Sequence, residues 1–462
     1  MLTAADVAAA IGGQVVEGDG ATTFEGFASD SRRVGIGQLF IALRGDRFDG
    51  AAFIEAGVAN GARGVLVPKG TPPPKAAGVV TIEVGDTLTA LQELGRHMRR
   101  LSGASVVAIT GSAGKTSTKE ATAEFLATRH TVYRNVGNLN NHIGLPLTLL
   151  ELRSRPDVAV VELGMNHAGE ISRLVELAEP DVRVWINVGD AHVGHFASVD
   201  AIADAKAEVL ERATHATRAV VNGDDARVMA RMKGFVGNVT TFGFGGHATI
   251  RAVDVRDRGV RGTTARLVTP AGEADVSVPI PGHGPLLNVL AATGVALGYD
   301  VPLEAIVGTA ATLRAASRRG EVTRLAKGIV LVDDSYNSSP AALAHALDAV
   351  GSERDAERRV AVIGEMRELG EFATVLHRES GRRAVTAGVD LLVAIGGTPA
   401  EALAEAAVSA GLDASAVRHF QTSEEAAAPV AAMLRAGDVV LVKGSRGTRT
   451  DIVADCVKAE WA

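Results

Sequence analysis

Residues 106–121 read VVAITGSAGKTSTKEA. A run of apolar, β-favouring residues meets Gly111, Ser112, Ala113, Gly114, Lys115, Thr116 and Ser117, and a helix-like run follows. Glycines let the backbone turn tightly enough for successive N–H groups to face an anion at a helix N-terminus. Lys115 adds a point charge for the β- and γ-phosphates of a nucleotide, and the Thr116 hydroxyl is placed to ligate Mg²⁺. The common form of such a loop, G-x-x-x-x-G-K-[ST], needs glycine where this chain has Ile109. The loop is therefore a shortened variant in the required context, a strand before it and a helix after it.

Outward from this loop, short apolar runs alternate with longer helical patterns, which predicts βαβ units and parallel sheet. SVVAITG, DVAVVELG, VRVWINVG and RAVVNGDD are the predicted strands of a central block, each followed by a loop at its carboxyl edge. After Thr240 the pattern turns β-rich, with ATIRAVDV, TTARLVTP and ADVSVPI, and GPLLNVLAATGVAL then reads as a helix. A block before it carries QLFIAL, RGVLVP and GVVTIEV and ends in a helix over 87–100. A block after it carries GIVLVDD, RRVAVIGEM, VDLLVAIG and GDVVLVKGS, the pattern of a second, doubly wound sheet. The 462 residues suit about three domains at ~150 residues each. We place them at 1–102, 103–316 and 317–462. The predicted fold is α/β: a central phosphate-loop domain with a mostly parallel sheet, a smaller α/β N-terminal domain and a Rossmann-like C-terminal domain.

Composition narrows the classes. The net charge of −7 argues against nucleic acid as the main partner. The one cysteine, Cys456, excludes an internal disulfide framework and a Cys-cluster metal site. The start, MLTAADVAAAIGG, lacks the basic segment and continuous apolar core of a signal peptide, and no apolar run reaches the ~18 residues of a membrane span. The expectation is a soluble, cytoplasmic monomer.

Other chemistry-bearing residues follow the strands. Glu162 ends DVAVVELG after four apolar residues, where an acid faces a nucleotide at a neighbouring loop or stands as a surface strand-end acid. His192 and His195 lie in NVGDAHVGHFAS, past the next strand, and fit either a ligand role or a structural one. Periodicity alone makes Lys206, in AIADAKAEVL, a solvated helix lysine paired with an acid such as Asp204 or Glu208.

Together these residues resemble the Mur ligases, the ATP-dependent amide-forming enzymes of peptidoglycan assembly. TGSAGKTS is similar to that family's T-G-[ST]-x-G-K-[ST]. DSRRVGIGQLFIALRGDRFDG resembles its uridine-nucleotide-binding segment. NVGNLNNHIGLPLTLL, VELGMNHAGEI, DDSYNSSPAAL, VIGEMRELG and LVKGSRG, in this order, are most similar to the members that add D-Ala-D-Ala to UDP-MurNAc-tripeptide. The resemblance covers essentially the whole chain. It implies a UDP-substrate-binding first domain, an ATP-binding second domain and a third domain with D-Ala-D-Ala and nucleotide contacts. By matched position it implies that Lys115 holds phosphate, that Thr116, Glu162 and His192 ligate two Mg²⁺ ions, and that Lys206 joins them as a carbamate. Arg319 reaches the γ-phosphate, Asp334 contacts the nucleotide and Asn288 contacts adenine. Ser31 and Arg32 belong to the uridine site, and Asn140, Asn141, Tyr336 and Asn337 to motifs tied to the peptide substrates. The chain departs from the pattern at Gly284-Pro285, where His-Asn is usual, at Ser338-Ser339, which replace Ala-Asn, and at Gly447-Thr448-Arg449. The D-N-P-R-like segment of the ligase that adds the diamino acid is missing, and GNLNNHIG and DDSYNSSP set the chain apart from folate polyglutamate ligases. An idle nucleotide-binding scaffold would not need Lys115, Glu162, His192 and Lys206 together.

Overall fold

The computed structural model describes residues 1–45, 49–190 and 193–462. The chain divides into two compact units, 1–108 with 130–165 and 169–183, and 109–129 with 166–168 and 184–462.

In the first unit, strands β1 (Gln14–Glu17), β2 (Phe27–Ala28), β3 (Leu39–Ile41), β4 (Gly64–Pro68) and β5 (Val80–Val84) form a five-stranded sheet in the order β1-β5-β4-β3-β2. The middle strands β3 to β5 pair in parallel, and β1 runs antiparallel at the edge. β4 is apolar along its length because both of its faces are covered, the pattern of a central parallel strand. Helix α1 (Thr87–Ser102) follows. Asp86 caps its start, accepting the Thr89 N–H at 2.7 Å, and Gly103 ends it at φ +71°. An aspartate N-cap and a left-handed glycine just past the end are the expected helix boundaries.

The central sheet uses β6 (Ser105–Thr110), β7 (Val132–Arg134), β8 (Val158–Glu162), β9 (Val182–Trp185), β10 (Arg218–Asn222), β11 (Asn238–Gly243), β12 (Ile250–Asp257), β13 (Thr263–Thr269) and β14 (Gly272–Val278). Its order is β14-β13-β12-β11-β10-β9-β6-β8-β7. The pairs β7–β8, β10–β11 and β11–β12 are parallel, and β12 to β14 form an antiparallel meander. Helices α2 (Lys115–Ala127), α3 (Val199–Ala207) and α4 (His283–Leu297) bear most of the site. α4 packs close on β10, because a Cβ at Gly294 would lie 2.9 Å from Val220 Cγ1.

The C-terminal sheet comprises β15 (Glu321–Arg324), β16 (Val330–Asp334), β17 (Arg358–Gly364), β18 (Leu391–Ile395), β19 (Val417–Phe420) and β20 (Asp438–Lys443), in the order β15-β16-β20-β17-β18-β19. The five strands from β16 onward are parallel; four of them carry the apolar runs read from the sequence, β19 is an addition to that reading, and Leu331, Val362, Val393 and Val442 are fully buried between the faces of the sheet. The edge strand β15 is an addition to that expectation. It is short, antiparallel to β16 and only half-buried, so it carries little apolar signal. Helix α5 (Pro340–Gly351) begins at Ser339, whose Oγ accepts the Ala342 N–H at 3.4 Å. Serine and asparagine are comparable N-caps, so the replacement of asparagine at this position keeps the helix start.

Candidate active site

In the second unit the shortened loop leads into the N-terminus of α2. Gly114 takes φ +86°, and a Cβ there would lie 2.5 Å from Asn288 Oδ1, so only glycine fits both the turn and the approach of α4. Lys115 Nζ donates to the Gly111 carbonyl at 2.7 Å, which folds the ammonium back over the loop. The sequence predicts successive loop N–H groups facing a phosphate, but two are already engaged. Ser112 N donates to Asn187 O at 3.1 Å and Ala113 N to Asn187 Oδ1 at 3.0 Å. Asn187 Nδ2 returns a bond to Ala113 O at 3.2 Å, and Gly189 N donates to Ser112 Oγ at 2.9 Å. These bonds shape the loop and leave Gly114, Lys115 and Thr116, at the positive end of α2, as the anion-facing segment. Asn187 was missed in the sequence, where its only signal is a polar residue at the end of an apolar strand.

Lys206 corrects the reading by periodicity. It is 2% exposed, not solvated. Asp204 pairs with Arg231 at 2.7 Å instead. Among the described residues no acceptor pairs with Lys206 Nζ. Burial, and then the charge of Lys115, push its pKa well below the ordinary lysine value. Both effects disfavour the ammonium, so the side chain is driven toward the neutral, nucleophilic amine. His192 lies outside the described residues. His195 rests edge-on to His167, ring centroids 5.5 Å apart.

Arg319 lines a small cavity of about 40 Å³ with Ser117, Glu120 and Ala121 of α2. A larger cleft of about 480 Å³ is lined by Glu120, Glu124, Thr309, Thr312, Arg314 and Ser317. Arg319 is 4.0 Å from the Tyr336 ring centroid. Asp334, at the end of β16, receives Lys443 Nζ at 2.6 Å, and the same ammonium donates to the Asn337 carbonyl at 3.0 Å. The Asp334 carboxyl lies above its ordinary range, because burial raises it more than Lys443 and Arg319 lower it.

In the first unit Glu162 ends β8 and is 2% exposed, so it is no surface acid. Asn135 Oδ1 accepts its N–H at 3.3 Å, and Asn140 Nδ2 donates to its Oε2 at 3.4 Å. Asn140 and Glu162 are thus together, whereas Asn141 turns away and accepts the Gly144 N–H at 2.8 Å. Ser31 and Arg32 sit in a 3₁₀ turn started by Asp30. Arg32 Nη2 meets Asp30 at 2.8 Å, and these bonds hold the Asp30 carboxyl down at about 2. Ser31 is buried, and its carbonyl accepts from Asn60 Nδ2 at 2.9 Å.

A Gly-Lys-Thr helix N-terminus approached by Asn288 and by Arg319, on an α/β scaffold, defines a phosphate-loop protein that handles a nucleotide. Residues 23–99 match the Mur ligase family catalytic domain, residues 109–296 the Mur ligase middle domain, and residues 318–446 the Mur ligase glutamate ligase domain. The chain belongs to the Mur ligase family. It is 31% identical, over 95% of its length and 94% of the relative's, to the UDP-N-acetylmuramoyl-tripeptide–D-alanyl-D-alanine ligase of Bacillus subtilis (strain 168). It is similar in structure to MurF from Acinetobacter baumannii, with TM-score 0.88, 30% identity and 99% of each chain covered. It also resembles MurF ligase from Thermotoga maritima in complex with ADP, with TM-score 0.82, 28% identity, and 94% of this chain and 97% of that one covered.

Proposed function

We propose that this chain is an ATP-dependent ligase that joins D-Ala-D-Ala to UDP-MurNAc-tripeptide, giving UDP-MurNAc-pentapeptide for peptidoglycan and so serving wall growth, cell shape and division. The observation that carries this is the full-length likeness to ligases of that name, combined with a phosphate loop faced by Arg319. The domains of the proposal are 1–102 for the UDP-substrate, 103–316 for ATP and 317–462 for the nucleotide and the dipeptide. The proposal includes a cytoplasmic enzyme acting as a monomer; no helix of the described residues is long and apolar enough to cross a membrane.

A tripeptide carboxylate oxygen attacks the γ-phosphorus of ATP. One P–O bond forms, the bridging P–O bond breaks, and ADP leaves with the electron pair. The amine of D-Ala-D-Ala then attacks the acyl-phosphate carbonyl, loses a proton, and expels phosphate. The first step brings an anion to a polyanion, so the protein's task is electrostatic. Lys115 moves from the Gly111 carbonyl to the phosphates, the α2 N-terminus faces them, and Arg319 supplies charge at the γ-phosphoryl group. Asp334 and Asn288 orient the nucleoside, Ser31 and Arg32 the uridine substrate, and Asn140, Asn141 and Asn337 the peptides.

Magnesium fits the donor set in one respect that the structure can test. Lys206 is buried with no anionic partner among the described residues, and a neutral amine there would take up CO₂. Its Nζ forms the N–C bond and one proton leaves to solvent, so a repelling cation becomes an oxygen ligand of the kind Mg²⁺ prefers. Thr116, Glu162, His192 and carbamylated Lys206 would hold the metal, which supplies charge neutralisation of the phosphates when bound. A donor and acceptor panel tests the reading. Phosphate release should need ATP, UDP-MurNAc-tripeptide and D-Ala-D-Ala together. Equal turnover with a free diamino acid as acceptor and a shorter UDP-peptide as donor would assign the chain to another step.

A further inference from the structure

The segment bearing Arg319 is fastened on both sides. Tyr336 N donates to the Arg318 carbonyl at 3.0 Å, and Gly320 N donates to the Asp333 carbonyl at 3.0 Å. Arg318 takes the left-handed φ of +60°, a conformation a side-chain-bearing residue keeps only when its surroundings enforce it. Its guanidinium reaches Asp451 at 3.0 Å and Asp455 at 2.9 Å. The backbone of Arg319 is therefore fixed, while its side chain still has several torsions to settle.

Tyr336 settles them. The Arg319 guanidinium carbon is 4.0 Å from the ring centroid, well within cation–π range. Arg446 lies 5.5 Å from the same centroid, and its Nη1 reaches the Tyr336 hydroxyl only at 3.4 Å. Tyr336 is itself anchored, because Asp334 and Asn337 on either side of it both bind Lys443 Nζ. The half-buried ring thus presents a fixed surface to a cation that also lines a cavity with Ser117 and Ala121 of α2.

We propose that Tyr336 is a positioning residue that acts through Arg319: its ring face holds the guanidinium toward the phosphate-loop helix before the nucleotide reacts. This rests on the reading of Arg319 given above. A preset cation needs no reorganisation when charge develops at the phosphoryl group, which is where such charges help most. The ring, rather than the hydroxyl, does the holding, since the one hydroxyl contact among the described residues is long and made to the other arginine.

The test uses the full chain and measures kcat, and KM for ATP, UDP-MurNAc-tripeptide and D-Ala-D-Ala. Tyr336→Phe keeps the ring and should stay within about twofold of the parent. Tyr336→Leu should lose about tenfold in kcat, the scale of one cation–π contact, with KM for both peptide substrates unchanged. Arg319→Ala combined with Tyr336→Leu should be no slower than Arg319→Ala alone, because the ring has nothing left to hold. Additive losses in the double variant would overturn the proposal, as would a raised peptide KM with intact kcat in Tyr336→Leu. So would a Tyr336→Phe variant well below the parent, a result that stands even if Tyr336→Leu fails to fold. An Arg319→Ala enzyme as fast as the parent would remove the reading of Arg319 itself.

Discussion

Lys206 and Lys443 are both buried lysines of the second unit, 2% and 3% exposed, and their surroundings are opposite. Lys443 ends β20 facing an aspartate at 2.6 Å and a carbonyl at 3.0 Å. Lys206, on α3, has no acceptor among the described residues and only the charge of Lys115 to feel. A buried cation with a hydrogen-bonded anion can stay charged, whereas one without an anion discharges. Burial alone therefore does not say what a lysine does. The partner does, and it makes Lys443 a strut and Lys206 a reactive amine.

The comparison breaks most visibly in turnover. Lys206→Ala should lose about 100-fold or more in kcat, as expected when a transition-state charge partner is removed, and so should Lys115→Ala and Glu162→Ala. Short carboxylic acids at high concentration should restore part of the Lys206→Ala activity and none of the Lys115→Ala activity. An alanine variant at 206 as active as the parent would erase the distinction between the two lysines. Next in size is stability. Lys443→Met leaves the Asp334 carboxylate without its ammonium and should cost about 3 kcal/mol in a denaturant titration. Arg319→Ala should slow turnover while leaving UDP-substrate binding, measured by calorimetry, nearly unchanged, because the site proposed for that substrate is on residues 1–102.

The smallest effect has the sharpest sign. Lys206→Met removes an amine that gives up its proton to be buried, so it should stabilise the fold at neutral pH rather than weaken it. The folded pKa of Lys206 lies well below its ordinary 10.5, so between those two values the unfolded chain holds more protons. Stability then rises with pH across that window and levels off above 10.5. In CO₂-free buffer the parent should gain on Lys206→Met as pH rises. A difference that stays flat, or shrinks, would mean that Lys206 remains charged.

How far the sequence could be read follows from how local each feature is. The phosphate loop was legible because its glycines, lysine and threonine are contiguous at a strand-to-helix corner. Glu162 was legible as an acid closing an apolar strand, whereas Asp334 was reached only through the family resemblance. Lys206 was misread by periodicity although a signal existed: it stands four residues after Ile202, so the two share one helix face, and both are buried while Asp204 faces out. Asn187 and Tyr336 were harder, for a tertiary reason. Asn187 acts on a loop more than seventy positions away, at Ala113. Tyr336 meets Arg319 because β15 pairs back on β16, an edge pairing with too few apolar residues to announce itself. Of the departures from the family pattern, Ser339 is accounted for by its helix cap, and nothing in the structure explains Gly284-Pro285.

The central claim is that this site activates a carboxylate with the γ-phosphoryl group of ATP. It is tested most directly by following oxygen. UDP-MurNAc-tripeptide labelled with ¹⁸O in its terminal carboxylate is turned over with ATP and D-Ala-D-Ala, and the released phosphate is analysed by mass. Attack on the γ-phosphorus followed by loss of phosphate from the acyl carbon carries one labelled oxygen into each phosphate. Phosphate that leaves unlabelled while the amide forms would contradict the account.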